Sequence, residues 1–191
     1  DFSPEKLQLA ILDFSRRRRR FGGNGTEEYL RFNPKLVASL ELKWQHQLAI
    51  NPGEDFHDLV VRYVREHYDL SKELAKEAGI NLARALVYRK QKNWKDAKLA
   101  LEKLYRIIQK TLRLAFEPKV VAKFEVDLWR EGESESGIRQ LLAEKFRVSD
   151  LQASKSAHLA YLANVEMTGN NWKRAKWYLE RSYQALKERV A

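Results

Sequence analysis

A chain of 191 residues with 44% hydrophobic, 32% charged and 11% aromatic side chains is apolar enough to build a core, which excludes wholesale disorder. The absence of cysteine excludes disulfides, thiolate metal sites and cysteine nucleophiles, and fits a reducing compartment. Thirty-six Lys and Arg against 26 Asp and Glu leave a formal net charge of +10, which favours acidic partners: an acidic protein surface, nucleic acid or an anionic membrane surface.

No apolar run approaches the ~18 residues that span a bilayer, so the expected location is the cytoplasm, or an organelle lumen or matrix if the chain is processed. Ser3 and Pro4 predict a helix start, and Leu7, Ala10, Ile11 and Phe14 fall on one helical stripe. Extending that stripe reaches the run Arg16, Arg17, Arg18, Arg19 and Arg20, and three glycines among residues 22–25 then break the chain. Residues 1–25 therefore read as a helix with a basic arm whose five guanidinium groups suit an anion, or as a solvated helix end. No strand precedes the glycines and no Gly-Lys-Ser/Thr follows them, which excludes a Walker-type loop.

Helical periodicity continues to the C-terminus. Asn33-Pro34 opens a helix to about Ile50 with Val37, Leu40, Trp44 and Leu48 inward, and a second runs from about Glu54 to Tyr68 with His67 on its core side. Ser71 caps a third helix, which reaches about Gln91, and Asn93 caps a fourth. Pro118 opens a helix that ends near Arg130, before the acidic stretch 131–137. Three more follow: Ile138 to Phe146, a Ser149-capped one to about Met167, and one from Asn171 onward. The acidic stretch marks the expected boundary between a first helical layer, 26–131, and a second, 137–191, the two forming one compact unit. Glu125 and its acidic neighbours read as a solvated surface.

Residues 93–105 recur 78 positions later. Asn93, Trp94, Lys95, Ala97, Lys98, Leu101, Glu102 and Tyr105 match Asn171, Trp172, Lys173, Ala175, Lys176, Leu179, Glu180 and Tyr183. Around both, a helix, a tight turn and a second helix opened by a small alanine resemble the middle of a tetratricopeptide (TPR) repeat, over about a third of the chain. The resemblance implies a protein-interaction scaffold with a concave binding face. The expected fold is all-α: an array of antiparallel helical hairpins, TPR-like or an irregular helical bundle.

On the fourth helix, Lys95, Lys103, Arg106, Lys110 and Arg113 collect opposite the Trp-Ala-Leu-Tyr stripe. Residues 81–115 hold ten basic side chains against Asp96 and Glu102. Such a row suits an acidic protein surface or a phosphate backbone, and equally an ordinary solvated helix face. In the second copy, Trp177 falls beside Lys173 and Arg181, which suits a partner contact, base stacking or packing under a neighbouring helix.

Arg62-x4-His67 resembles the spacing of HEPN-type metal-independent ribonucleases, which would make arginine and histidine act on a phosphodiester. Glu54-x-x-His57 has the spacing of half a di-iron site but lacks the second copy such a site needs. Nothing calls for a cofactor. The sequence points to a non-enzymatic adaptor that engages an acidic protein partner, with RNA or DNA binding as the alternative and a HEPN-like ribonuclease third.

Overall fold

The computed structural model describes residues 31–50, 52–53 and 55–190. The predicted first helix and the arginines at 16–20 lie outside the described residues. Within them the chain is all-α: α1 (Pro34–Ile50), α2 (Phe56–Tyr68), α3 (Lys72–Lys90), α4 (Trp94–Leu112), α5 (Pro118–Glu131), α6 (Glu135–Phe146), α7 (Asp150–Thr168) and α8 (Trp172–Val190). None of these is long and apolar enough to cross a membrane.

The boundaries follow from local chemistry. Pro34 and Pro118 stand at first helical positions, where a missing N–H removes no intrahelical bond. Ser71, Asn93, Ser134 and Ser149 each accept a hydrogen bond from a first-turn backbone N–H, and Ser149 with Gln152 completes a capping box. Asp69, Arg113 and Arg147 end α2, α4 and α6 in the left-handed region, with φ near 50°.

Each helix packs on the next, and α8 returns to pack on α1, so the helices close a ring. Tyr105, Phe56, Phe116, Leu86, Leu101 and Ile108 are fully buried between them, each contributing roughly 2 kcal/mol of burial free energy. Small residues set the closest approaches. A Cβ at Gly79 would stand 2.5 Å from the Val61 Cα, so the α2–α3 contact requires glycine there.

The duplication is wider than the eight matching residues of α4 and α8. At the same offset of 78, α3 maps onto α7 and α4 onto α8, each 19 residues long, and α2 maps onto α6 at its C-terminal end. The turns agree in detail. Asn93 N–H donates to Tyr88 O at 2.9 Å and Asn171 N–H to Glu166 O at 2.8 Å, after Lys92 and Asn170 at φ 56° and 61°. Two halves, α1–α4 and α5–α8, therefore make the ring, and they part at residues 113–117. The acidic stretch lies between α5 and α6, which pack on one another across it.

Candidate functional site

All eight helices line one central cavity of about 170 Å³. Its wall carries Glu41, Glu125, Lys145, His67 and the tyrosines 63, 68, 105 and 183. Closing the ring forces this, because the inner face of every helix meets the inner faces of the others, and a polar residue there has only other interior residues as partners.

The polar groups are arranged as two related pairs. Tyr105 of α4 donates its hydroxyl proton to Glu125 of α5, and Tyr183 of α8 donates to Glu41 of α1. Tyr105 and Tyr183 are 78 residues apart. Glu41 and Glu125 are 84 apart, within Pro34-Lys-Leu-Val-Ala-Ser-Leu-Glu41 and Pro118-Lys-Val-Val-Ala-Lys-Phe-Glu125. The offset falls from 84 to 78, so the stretch from Glu125 to Lys145 is six residues shorter than the stretch from Glu41 to His67. That slip hid the relation from a search at constant spacing; the shared pattern Pro-Lys-x-Val-Ala-x-x-Glu is the signal that carries it.

Glu125 thus lies on the cavity wall, not on the solvated acidic surface its neighbours in sequence implied. It occupies the inward position of α5 equivalent to Glu41 on α1, and both carboxylates are half-buried in the cavity lining. Burial raises the pKa of Glu125, opposed by Lys145 and by the Tyr105 hydrogen bond. Burial also raises Glu41, opposed by hydrogen bonds from Tyr183 and Gln45.

The halves differ at the position 78 residues apart on α2 and α6, where His67 corresponds to Lys145. Lys145 Nζ lies 5.2 Å from the centre of the Tyr105 ring and 5.3 Å from that of Tyr68. Burial opposes its charge, but Tyr68, Glu125 and Glu41 together hold its pKa above the ordinary lysine value. His67 sits 5.1 Å from the Tyr183 ring and stacks on Tyr68 at 4.3 Å. Burial and then the positive charge of Lys145 push its pKa well down, so it is neutral.

A hydrogen-bond chain fixes its tautomer. Tyr183 gives its proton to Glu41 and so accepts from Tyr63 at 2.9 Å. Tyr63 in turn accepts from His67 Nδ1 at 3.1 Å, which leaves Nε2 as a bare lone pair with no partner.

At one end the cavity shares Gln45, Arg89, Glu133 and Asn164 with a surface depression beside α7. Arg89 bridges to Glu133 at 2.9 Å and lies over Trp129 at 5.0 Å, while Asn164 also donates to Glu133. This group stands at the mouth.

The residues expected to bind a partner are elsewhere. Lys95, Lys103, Arg106, Lys110 and Arg113 are all exposed on the outside of α4, and none pairs with a described residue. Leu99, 48% exposed, stands in the same row. Its counterpart 78 residues on is Trp177, 47% exposed rather than covered by a neighbouring helix, with Lys173 exposed a turn before it and the Arg181 guanidinium 3.5 Å over its ring. Cation, apolar side chain, cation is therefore a pattern that both halves display. Arg62 and His67 are not brought together: Arg62 is exposed, and His67, 3% exposed, points inward. Among the described residues no cluster of His, Asp or Glu is placed to hold a metal ion.

Compared with known protein families, with curated proteins and with solved structures, the chain finds no match.

Proposed function

We propose that this chain is a non-enzymatic binding protein whose outer basic row on α4 engages an acidic protein partner. One observation carries the reading: Lys95, Lys103, Arg106, Lys110 and Arg113 lie exposed along one face without a described counter-charge, and Leu99 lies among them. A row of cations held on a rigid helix meets an opposite charge at little cost in ordering, and mismatched partners are repelled. The exposed leucine favours a protein over a nucleic-acid backbone, because an aliphatic side chain adds contact area against another apolar group and stacks poorly on bases. The likeness of the α3–α4 and α7–α8 hairpins to tetratricopeptide repeats supports a scaffold role, here with the binding face on the outside of a closed ring.

The test is capture from native extract by the wild type and by a variant with the five cations changed to glutamate, before and after nuclease. An acidic protein held by the wild type through nuclease treatment and released by the variant supports the proposal. Retention that nuclease abolishes transfers the role to nucleic acid, and equal retention by both proteins refutes it.

A further inference from the structure

Among the described residues three carboxylates meet the ring interior, one ion-paired and one facing a strong opposite charge. Glu133 has Arg89, which also covers Trp129. Glu125 has Lys145 as its strongest opposite charge, and that ammonium covers Tyr105 and Tyr68. In both cases one cation serves a carboxylate and an aromatic face together. Glu41 has the same surroundings without a cation over its aromatic neighbours, and Lys145 is the weakest influence on it. Tyr183 donates to it as Tyr105 donates to Glu125, and Tyr63 and Trp44 stand beside it, 5.9 Å apart ring to ring. Among the described residues no Lys or Arg lies over Trp44, Tyr63 or Tyr183.

The two-fold relation between the halves says what is missing. The residue equivalent to Lys145 on the Glu41 side is His67, which is neutral and gives its Nδ1 proton to Tyr63 rather than to a carboxylate. Among the described residues the interior therefore has one carboxylate whose aromatic neighbours carry no cation and on which Lys145 acts only weakly, with aromatic walls around it and a cavity of about 170 Å³. An engineered cavity of about 150 Å³ holds a benzene, so the space suits a ligand of a few heavy atoms.

We propose that the ring interior is a binding site for a small organic ammonium ion, held between the Glu41 carboxylate and the aromatic rings of Trp44, Tyr63 and Tyr183, in the role that Lys145 fills for Glu125. Cation–π attraction strengthens where water is excluded, and a desolvated carboxylate opposite the same cation adds to it. The ligand passes the mouth beside Arg89, Glu133 and Asn164, where Glu133 is the acidic group. This site is independent of the basic row on the outer face of α4.

The probe is n-butylammonium, the chemical equivalent of a lysine side chain, followed by thermal denaturation of the full chain. Butylammonium should raise the melting temperature, while 1-butanol and an equal concentration of KCl should not. Proton and ligand compete for Glu41, whose pKa burial raises, so apparent affinity should fall about tenfold per pH unit below that pKa. Of the other interior charges, Glu133 and Lys145 act on Glu41 in opposite directions, Arg89 pairs with Glu133, and these with Glu125 are common to every variant compared. Glu41→Gln should remove the butylammonium shift. His67→Lys should raise the melting temperature of the unliganded protein and also remove the shift, because the new ammonium fills the place. Equal protection by KCl, no protection by butylammonium at any pH, or a full shift retained in Glu41→Gln would overturn the proposal. Should His67→Lys not fold, the pH series and Glu41→Gln decide it.

Discussion

Glu41 and Glu125 are equivalent in position and not in circumstance, and changing each to glutamine separates the two. Glu125→Gln removes the carboxylate that acts most strongly on the half-buried Lys145 ammonium. Lys145 then keeps Tyr68 and the weaker influence of Glu41; stripping one partner from a fully buried ion pair costs about 3–5 kcal/mol, and for these half-buried groups the loss should lie at or below the lower end of that range. Glu41→Gln removes a carboxylate whose ionisation burial already disfavours, keeps an acceptor for Tyr183, and strands no cation. Its stability should equal or exceed that of the wild type at neutral pH. The gain should shrink as the pH falls through the raised folded pKa and vanish below about 4.5, where the wild-type carboxyl becomes neutral both folded and unfolded. For a domain of this size a loss of 3 kcal/mol lowers the melting temperature by about 6–12 °C. Urea denaturation at neutral pH reads the difference directly from the midpoints. Equal losses in the two variants would show that Lys145 does not discriminate between the carboxylates, and the account of the interior would fail.

Gly79→Ala should destabilise the fold even though alanine is the better helix former by about 1 kcal/mol: its Cβ meets backbone at Val61, and overpacking of that kind costs about 1–3 kcal/mol or more. A stability gain in thermal denaturation would contradict the close α2–α3 contact. Ser149→Ala breaks the capping box of α7 and should cost about 1 kcal/mol in urea denaturation, with Ser149→Asp close to neutral. His67 is neutral when folded and takes up a proton when unfolded, so its contribution is present above pH 6.5 and lost as the pH falls towards its lowered folded value. The stability difference between wild type and His67→Gln should shift against the wild type across that range, and a difference that does not vary with pH would contradict it.

Helix positions were readable from the sequence because their signals are local. Pro34, Ser71, Asn93, Pro118, Ser149 and Asn171 each mark a start through a backbone bond or its absence, and no distant residue is needed to interpret them. The outward cations of α4 were readable for the same reason, since helical spacing alone sets them opposite Ala97, Leu101 and Tyr105. The interior was not. A glutamate in an amphipathic helix is nearly always a surface group, and only the packing of α8 against α1 encloses Glu41. Lys145 looked like one charge among several in a mixed stretch, and its role depends on Tyr105 and Glu125 from two other helices. The duplication surfaced at Asn93 and Asn171, where a left-handed residue and a small alanine constrain the turn tightly. It stayed hidden in α1 and α5, where five shared positions stand at a different offset.

Closure also makes the two ends of the ring neighbours. α1 and α8 lie side by side, and Phe32 and Pro34 share a surface hollow with Lys187. The order of the helices along the chain is therefore separable from the ring they make: a circular permutant beginning at α5 and ending at α4, with a short linker from α8 to α1, retains every packing pair. Two identical four-helix chains related by a two-fold axis would enclose the same kind of interior, but symmetry would oblige them to carry one residue type at both positions of the 67/145 pair. Covalent fusion lifts that obligation. A single chain can place a lysine on one side of the axis and a histidine on the other, and an asymmetric interior becomes available to a symmetric framework.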